Sequence, residues 1–326
     1  MEQARELLEA TVSDHPTDLT IRRELGKCND QIGVMLQQLG RSAEAVPAHR
    51  RACEVYRRLI QAEPKVPLWR RLLGHGLGNL AIAYGFGGHK SEALAAYVES
   101  REQVEALLLI EPTNLGYRGD LAMTLNNMSM LMDAGDAQIA VFREGLSLRE
   151  AIAAEMPGDA YAKRNAARTR FNLAITLGKL GRLDESLREF DAAVLALREV
   201  YAPNPADVSH GRELAAALHE RAKTLQGLRR FEEATASVSE AIKLYGDAQV
   251  IDPQNALYRE FLTDAYYVSA DVFMELGQRD KALSAWQAVL PICEEIAQSR
   301  PDDPAVLAEV TKVRKKIAEL LVPSGP

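Results

Sequence analysis

Cysteine is scarce in this chain, with three in 326 residues: Cys28, Cys53 and Cys293. None stands at C-x-x-C spacing and the count is odd, which argues against a disulfide framework or a thiolate metal site. The three read as small core residues of a protein kept in a reducing compartment. Long apolar runs are also missing. No uninterrupted stretch of about 18 apolar residues occurs, so no membrane span is expected. The N-terminal MEQARELLEATVSDHP has neither the basic start nor the apolar run of a secretory signal, and a cytoplasmic location is expected. Positive charge is not in excess. The formal net charge of −7 gives no general attraction to nucleic acid or to an anionic membrane.

The marks of catalysis are equally sparse. Gly85, Gly87 and Gly88 lie in YGFGGHK, which lacks the G-x-x-x-x-G-K-[ST] spacing of a phosphate loop and reads as a turn. The six histidines, at 15, 49, 75, 89, 210 and 219, form no H-E-x-x-H or other ligand pair. No Ser, His and acid set assembles with any specificity. Catalytic residues, metal ligands and cofactors are therefore expected to be none, and the chain is read as no enzyme. What is present is an ordinary folded composition, 47% apolar and 26% charged, with a strong internal period.

Pro16, Pro64, Pro112, Pro157, Pro205, Pro253 and Pro301 follow one another at 48 residues, except for 45 between Pro112 and Pro157. Seventeen residues after each comes a small residue: Gly33, Ala81, Ser129, Ala174, Ala222, Ala270 and Ala318. Twelve further on comes a second small residue, Ala45, Ala93, Ser186, Ala234 or Ala282, and in the third unit it arrives one residue early as Ala140. Two residues after the prolines stand Asp18, Asn114, Asp159, Asp207, Asn255 and Asp303, whose side chains cap the free amides of a helix's first turn. The exception, Val66, precedes Pro67, a residue favoured at the first helical position. Leu39-Gly40, Gly87-Gly88, Ala134-Gly135, Leu180-Gly181 and Leu276-Gly277 mark the helix end, with Leu228-Arg229 in the fifth unit. Glycine tolerates the left-handed conformation that stops a helix. Each unit is thus a helical hairpin. Its small residues let two helices cross closely while Leu36, Tyr84, Met132, Leu177, Leu225 and Phe273 fill the flank three residues on.

A small residue in the first helix, a large residue three on, an alanine in the second helix and an aromatic four beyond it (Tyr97, Phe190 and Trp286), then proline, resemble the tetratricopeptide repeat. The period here is 48 rather than 34, which adds about two turns to each helix. Together with IRRELG from Ile21, WRRLLG from Trp69, YRGDLA from Tyr117 and YREFLT from Tyr258, it is similar to the long-helix arrays of bacterial multidomain proteins. The resemblance covers nearly the whole chain and implies an all-α superhelix, a solenoid of about six hairpins with partial repeats at both ends. The expected limits are a partial helix at 1–15, repeats at 16–63, 64–111, 112–156, 157–204, 205–252 and 253–300, a capping helix at 301–321 and a loose tail at 322–326. A start in mid-repeat suggests a piece of a longer protein.

The resemblance further implies that first helices line the concave face. Around the small residues that face offers Asn79, Asn126, Asn127, Phe171, Asn172, His219, Lys223, Tyr267 and Asp271. Asparagines recurring in consecutive repeats can hold a peptide backbone or bond the next helix and fix the stacking; both readings stand. Asp30 and Gly78 share the register of the groove, and His75 and His219 both look toward it. Arg50, Arg51, Arg57, Arg58, Lys65, Arg70 and Arg71 form a basic stretch, read as a solvated face of ion pairs rather than a nucleic-acid patch. The expected function is a scaffold that binds a protein or peptide, a docking or sensing arm of a larger bacterial protein, with no membrane or nucleic-acid partner. The alternatives are a receptor for a small molecule or signal peptide and a structural self-assembly module; the oligomeric state is open.

Overall fold

The computed structural model describes residues 2–322, and among them every regular element is a helix. Four of the five expected tail residues, 323–326, lie outside the described range. The chain divides into two compact units, 1–158 and 159–326. The first holds α1 (Glu2–Asp14), α2 (Leu19–Gln38), α3 (Ser42–Ala62), α4 (Pro67–Phe86), α5 (Lys90–Leu108), α6 (Leu115–Leu131) and α7 (Asp136–Glu155). The second holds α8 (Ala160–Lys179), α9 (Leu183–Tyr201), α10 (Val208–Gly227), α11 (Phe231–Ile251), α12 (Ala256–Glu275), α13 (Arg279–Ser299) and α14 (Pro304–Leu321). Within each unit consecutive helices pack as antiparallel neighbours, and first helices also touch, α2 on α4 and α4 on α6, α8 on α10 and α10 on α12.

The local chemistry sets these limits. Asp18, Asn114, Asp159, Asp207, Asn255 and Asp303 each accept a backbone N–H from the first turn of the helix they precede. Val66 makes no such bond and is followed by Pro67 inside the helix. At the hairpin turns Gly40, Gly88, Gly181 and Gly277 have positive φ. The residue after each donates back five residues, Arg41 N–H to Leu36 O, His89 to Tyr84, Arg182 to Leu177 and Gln278 to Phe273, at 2.8–2.9 Å. These are Schellman closures. The fifth turn closes in the same way, Arg230 N–H to Leu225 O at 2.9 Å, with Arg229 at φ 59° in the glycine's place.

The third hairpin differs. Its first helix has 17 residues where the other first helices of complete hairpins have 20, and Gly135 is extended at φ 169°. The expectation that Ala140 is its buried small residue is wrong: Ala140 is exposed, and the burial register of α7 runs through Gln138, Ile139, Phe142 and Gly145. Gln138 Nε2 donates to Ser129 O at 2.8 Å, the bond that Ser186 Oγ makes to Ala174 O at 2.8 Å in the next hairpin.

Elsewhere the crossings are tight. Ala81, Ala174, Ala222 and Ala270 are fully buried against Ala93, Ser186, Ala234 and Ala282. Around them lie fully buried Tyr56, Leu59, Leu77, Leu107, Leu125, Phe142, Leu173, Phe190, Leu214 and Leu218. Each such side chain contributes about 2 kcal/mol by leaving water.

Candidate binding site on the first helices

In the unit spanning 1–158, a cavity of about 310 Å³ opens between α2, α4, α5 and α6. Its floor is a glycine-bearing stretch of α4. Gly74 is held close to α5: a Cβ there would lie 3.3 Å from Val104 Cγ2, and Ser100 Oγ donates to Gly74 O at 2.8 Å. A Cβ at Gly78 would meet nothing within 4 Å. Tyr97 and Val104 form the back wall, and Ile82 and Met123 are apolar sides.

Two carboxylates stand on this wall, each fixed by the fold. Asp30 Oδ1 meets His49 Nδ1 at 2.6 Å, and both its oxygens accept from Asn79 Nδ2, at 3.2 and 3.0 Å. His49 Nε2 contacts Gln37 Oε1 at 3.2 Å, and Gln37 Nε2 donates to Asn79 O at 3.2 Å. His49 is fully buried, its ring filling the space that glycine leaves at Gly33. This network joins the first hairpin to the second. Asp120 accepts from Arg71 Nε at 2.8 Å and lies 3.1 Å from His75 Nε2. Burial pushes its carboxyl up, but bonds and charge from His75 and Arg71 outweigh that and hold it below the usual aspartate value. Arg71 also lies over the Tyr117 ring at 5.6 Å.

The predicted asparagines divide here. Asn79 and Asn127 both face the cavity. Asn126 is buried beside it, its Nδ2 on Asn127 Oδ1 at 3.2 Å and near Met130 Sδ at 4.0 Å. Asn127 bonds the Tyr97 hydroxyl; burial pushes that hydroxyl up to about 12 against the pull of this bond. Asn79 Oδ1 and one of the two Asn127 N–H donors are left over from these bonds.

In the unit spanning 159–326 the predicted residues do other work. Phe171 meets the edge of Phe190 at 5.8 Å and packs on the core, and Asn172 beside it is half-buried. His219 is buried, and its Nδ1 has no hydrogen-bond partner. Burial lowers its pKa, Glu220 and Asp264 opposing and Lys223 assisting. Lys223 is exposed and paired with Glu220 at 2.9 Å. Tyr267 lies on Trp286 at 5.1 Å with Lys312 Nζ 4.8 Å above its ring. Its hydroxyl reaches Cys293 Sγ at 3.6 Å and lies beside the Glu309 carboxylate. Burial, Glu309 and Cys293 together push that hydroxyl far above the ordinary tyrosine value. Asp271 is exposed on α12. A smaller cavity, about 200 Å³, lies between α12, α13 and α14 beside Thr263, Asp264, Cys293 and Glu309.

Sequence reasoning missed Asp120 and gave Gly78 no role of its own. Five of the seven residues of the basic stretch are paired within the fold: Arg50 on Tyr84 Oη at 2.7 Å, Arg51 on Asn29 at 3.2 Å, Arg57 on Glu99 at 2.7 Å, Arg70 on Gln103 at 3.0 Å and Arg71 on Asp120; Arg58 and Lys65 are exposed. Among the described residues no group of three or more His, Cys, Asp or Glu is placed to hold a metal ion, and no helix is long and apolar enough to cross a membrane.

The tetratricopeptide repeat family model matches residues 29–63. No curated protein sequence matches the chain. Among solved structures it is similar to BtubC (BKLC) from P. vanneervenii at 13% identity, over 78% of this chain and 92% of that one, with a TM-score of 0.57. It is similar to the apo form of RapI at 10% identity, over 93% of this chain and 86% of that one, with a TM-score of 0.55. A signal transduction ATPase with numerous domains and a tetratricopeptide repeat sensor, from Pyrococcus horikoshii, matches at 13% identity over 98% of this chain and 47% of that one, with a TM-score of 0.53. At such identities the likeness is one of fold. With its stacked helical hairpins the chain has the fold of tetratricopeptide-repeat proteins, and the family model matches the stretch at 29–63.

Proposed function

We propose that the chain is a scaffold that holds a protein or peptide segment on its first helices, with the cavity over Gly78 as the principal contact. The observation that carries this is Gly78 itself. A glycine in a helix interior costs about 1 kcal/mol relative to alanine, and here no neighbour needs the space. A glycine there leaves room for close approach by another backbone. An extended segment crossing α4 at this point finds Asn79 Oδ1 for its N–H and an Asn127 N–H for its carbonyl, the pairing any peptide unit offers regardless of sequence. The network at Asp30 and the ion pairs at Asp120 fix these walls before a ligand arrives, which reduces the ordering cost of binding. Tetratricopeptide-repeat proteins typically bind proteins or peptides, and a docking or sensing arm of a larger cytoplasmic protein is the role this supports.

The test is to pan a displayed library of random peptides on the whole chain and repeat each hit on Gly78→Leu, whose Cβ meets no atom within 4 Å and whose side chain would occupy the cavity. Hits that bind the parent and lose at least tenfold on the variant (about 1.4 kcal/mol) carry the proposal. Hits indifferent to the change place binding elsewhere. A library that yields none, with thermal stabilisation by a small metabolite instead, transfers the cavity to a small-molecule receptor.

A further inference from the structure

The repeats contain their own template for what enters the cavity. Three residues before the small residue of each complete hairpin stand Asp30, Gly78, Asn126, Phe171, His219 and Tyr267. The phenyl and phenol rings in this series share a partner position. Phe171 packs edge-on with Phe190 at 5.8 Å and Tyr267 lies tilted on Trp286 at 5.1 Å, each the second-helix aromatic of its own hairpin. The corresponding aromatic in the second hairpin is Tyr97, and it lines the cavity over Gly78, where a Cβ would meet no atom within 4 Å.

The correspondence extends to the surroundings. Ala81 and Ala270 set the two frames, 189 residues apart. In that register Glu309 corresponds to Asp120, and Lys312, which covers the outer face of the Tyr267 ring, corresponds to Met123. The Tyr267 hydroxyl ends on Glu309; a hydroxyl placed likewise over Gly78 ends at Asp120, whose carboxylate Arg71 and His75 already hold in place.

We infer that the cavity receives an aromatic side chain of the bound segment, tyrosine above all, with its ring on Tyr97 beneath Met123 and its hydroxyl donating to Asp120. This rests on the peptide-binding reading and specifies its anchor. Each contact has a physical cause. Aromatic pairs prefer the offset and tilted arrangements that Tyr267 already adopts on Trp286. A thioether sits well against a ring. A buried tyrosine hydroxyl seeks an acceptor, and an ionised carboxylate can only accept. The volume, about 310 Å³, lies at the small end of ligand-binding cavities, roughly 300–1,000 Å³, and suits one large side chain.

The experiment uses the full chain with carbon-13 methyl-labelled methionine, titrated separately with N-acetyl-tyrosinamide, N-acetyl-phenylalaninamide and N-acetyl-leucinamide. The Met123 methyl resonance, assigned with Met123→Leu, is the readout. Tyrosinamide is expected to shift it by ring current at millimolar concentration, phenylalaninamide to bind several-fold more weakly and leucinamide to leave it in place. Gly78→Tyr installs the occupant within the chain. Its Met123 methyl is expected to be displaced in the same direction without ligand, and tyrosinamide to bind at least tenfold more weakly. Should Gly78→Tyr fail to fold, Gly78→Leu provides the same block. Equal binding of leucinamide, no movement at Met123, or an undiminished titration of the blocked chain overturns the assignment. Panned peptides that depend on Gly78 but carry no aromatic residue would overturn the anchor while leaving the peptide-binding proposal intact.

Discussion

Two glycines of the first helices make opposite demands. At Gly33 a Cβ would lie 2.4 Å from His49 Nε2, in a ring that is fully buried and tied to Asp30 and Gln37. At Gly78 it would meet open space. Gly33→Ala is therefore expected to destabilise by about 1–3 kcal/mol through overpacking, and Gly78→Ala to stabilise by about 0.5–1 kcal/mol through helix propensity. Urea midpoints measured on both variants check the signs; a loss at Gly78 would mean that its backbone needs the glycine. His219 provides a pH test at the same scale. Burial is the largest effect and lowers its pKa from 6.5, with Glu220 pulling it up, Lys223 pressing it down and Asp264 pulling it up. The unfolded chain then takes up the proton first on acidification. Stability is full above the unfolded value and falls as pH drops through it toward the folded one. His219→Leu removes the titration, so the parent is expected to lose stability relative to that variant between about pH 7 and pH 5. A constant difference in urea midpoint across that range would contradict the assignment.

At the scale of the hairpin, the turns show what a single position is worth. Five of them close by the same backbone bond, yet the fifth places Arg229 at φ 59° where four others have glycine. The left-handed conformation costs a residue with a Cβ roughly 1–2 kcal/mol. Arg229→Gly is expected to stabilise by about 1 kcal/mol, less whatever the Arg229 contact with the Phe231 ring at 5.9 Å supplies. A differential scanning calorimetry shift to lower temperature would show that this contact outweighs the strain. Caps, turns and crossing residues were legible in the sequence because their causes are local: Asp18 caps the amides two and three residues on, whatever the rest of the chain does. Gln138 was not. Counting small residues led to Ala140, whereas the register follows the large buried group Phe142, and no composition rule makes glutamine a substitute for alanine. Gln138→Ala leaves Ser129 O without that bond and is expected to cost about 1–3 kcal/mol. Faster amide exchange confined to the end of α6 and the start of α7 is the signature to measure.

Across the whole chain, the cavity was the part the sequence could not show. Gly78, Tyr97, Asp120 and Met123 come from three helices, and no short-range pattern links them. Asn79 illustrates why its two readings stayed open: its amide N–H₂ is bonded to Asp30 in the neighbouring repeat, and the same side chain faces the cavity. A stack of hairpins spreads its stability along the chain, since each repeat is held mainly by its immediate neighbours. The buried clusters follow suit. Leu25 through Tyr97 with Met128, and Val104 through Leu125, serve residues 1–158. The cluster around Leu214, Leu218, Val238 and Leu262 serves residues 159–326. Leu214 is 1% exposed, and truncating it to alanine removes about 2–5 kcal/mol from its surroundings. In a one-dimensional array that loss is local. Hydrogen exchange of Leu214→Ala is expected to accelerate in α10 and in α9, α11 and α12, which pack on it, while protection in α2 to α5 stays at the parent's level. Uniform acceleration through all the helices would instead describe a single cooperative body. A ligand that anchors over Gly78 would then raise protection throughout, rather than in the repeats that touch it.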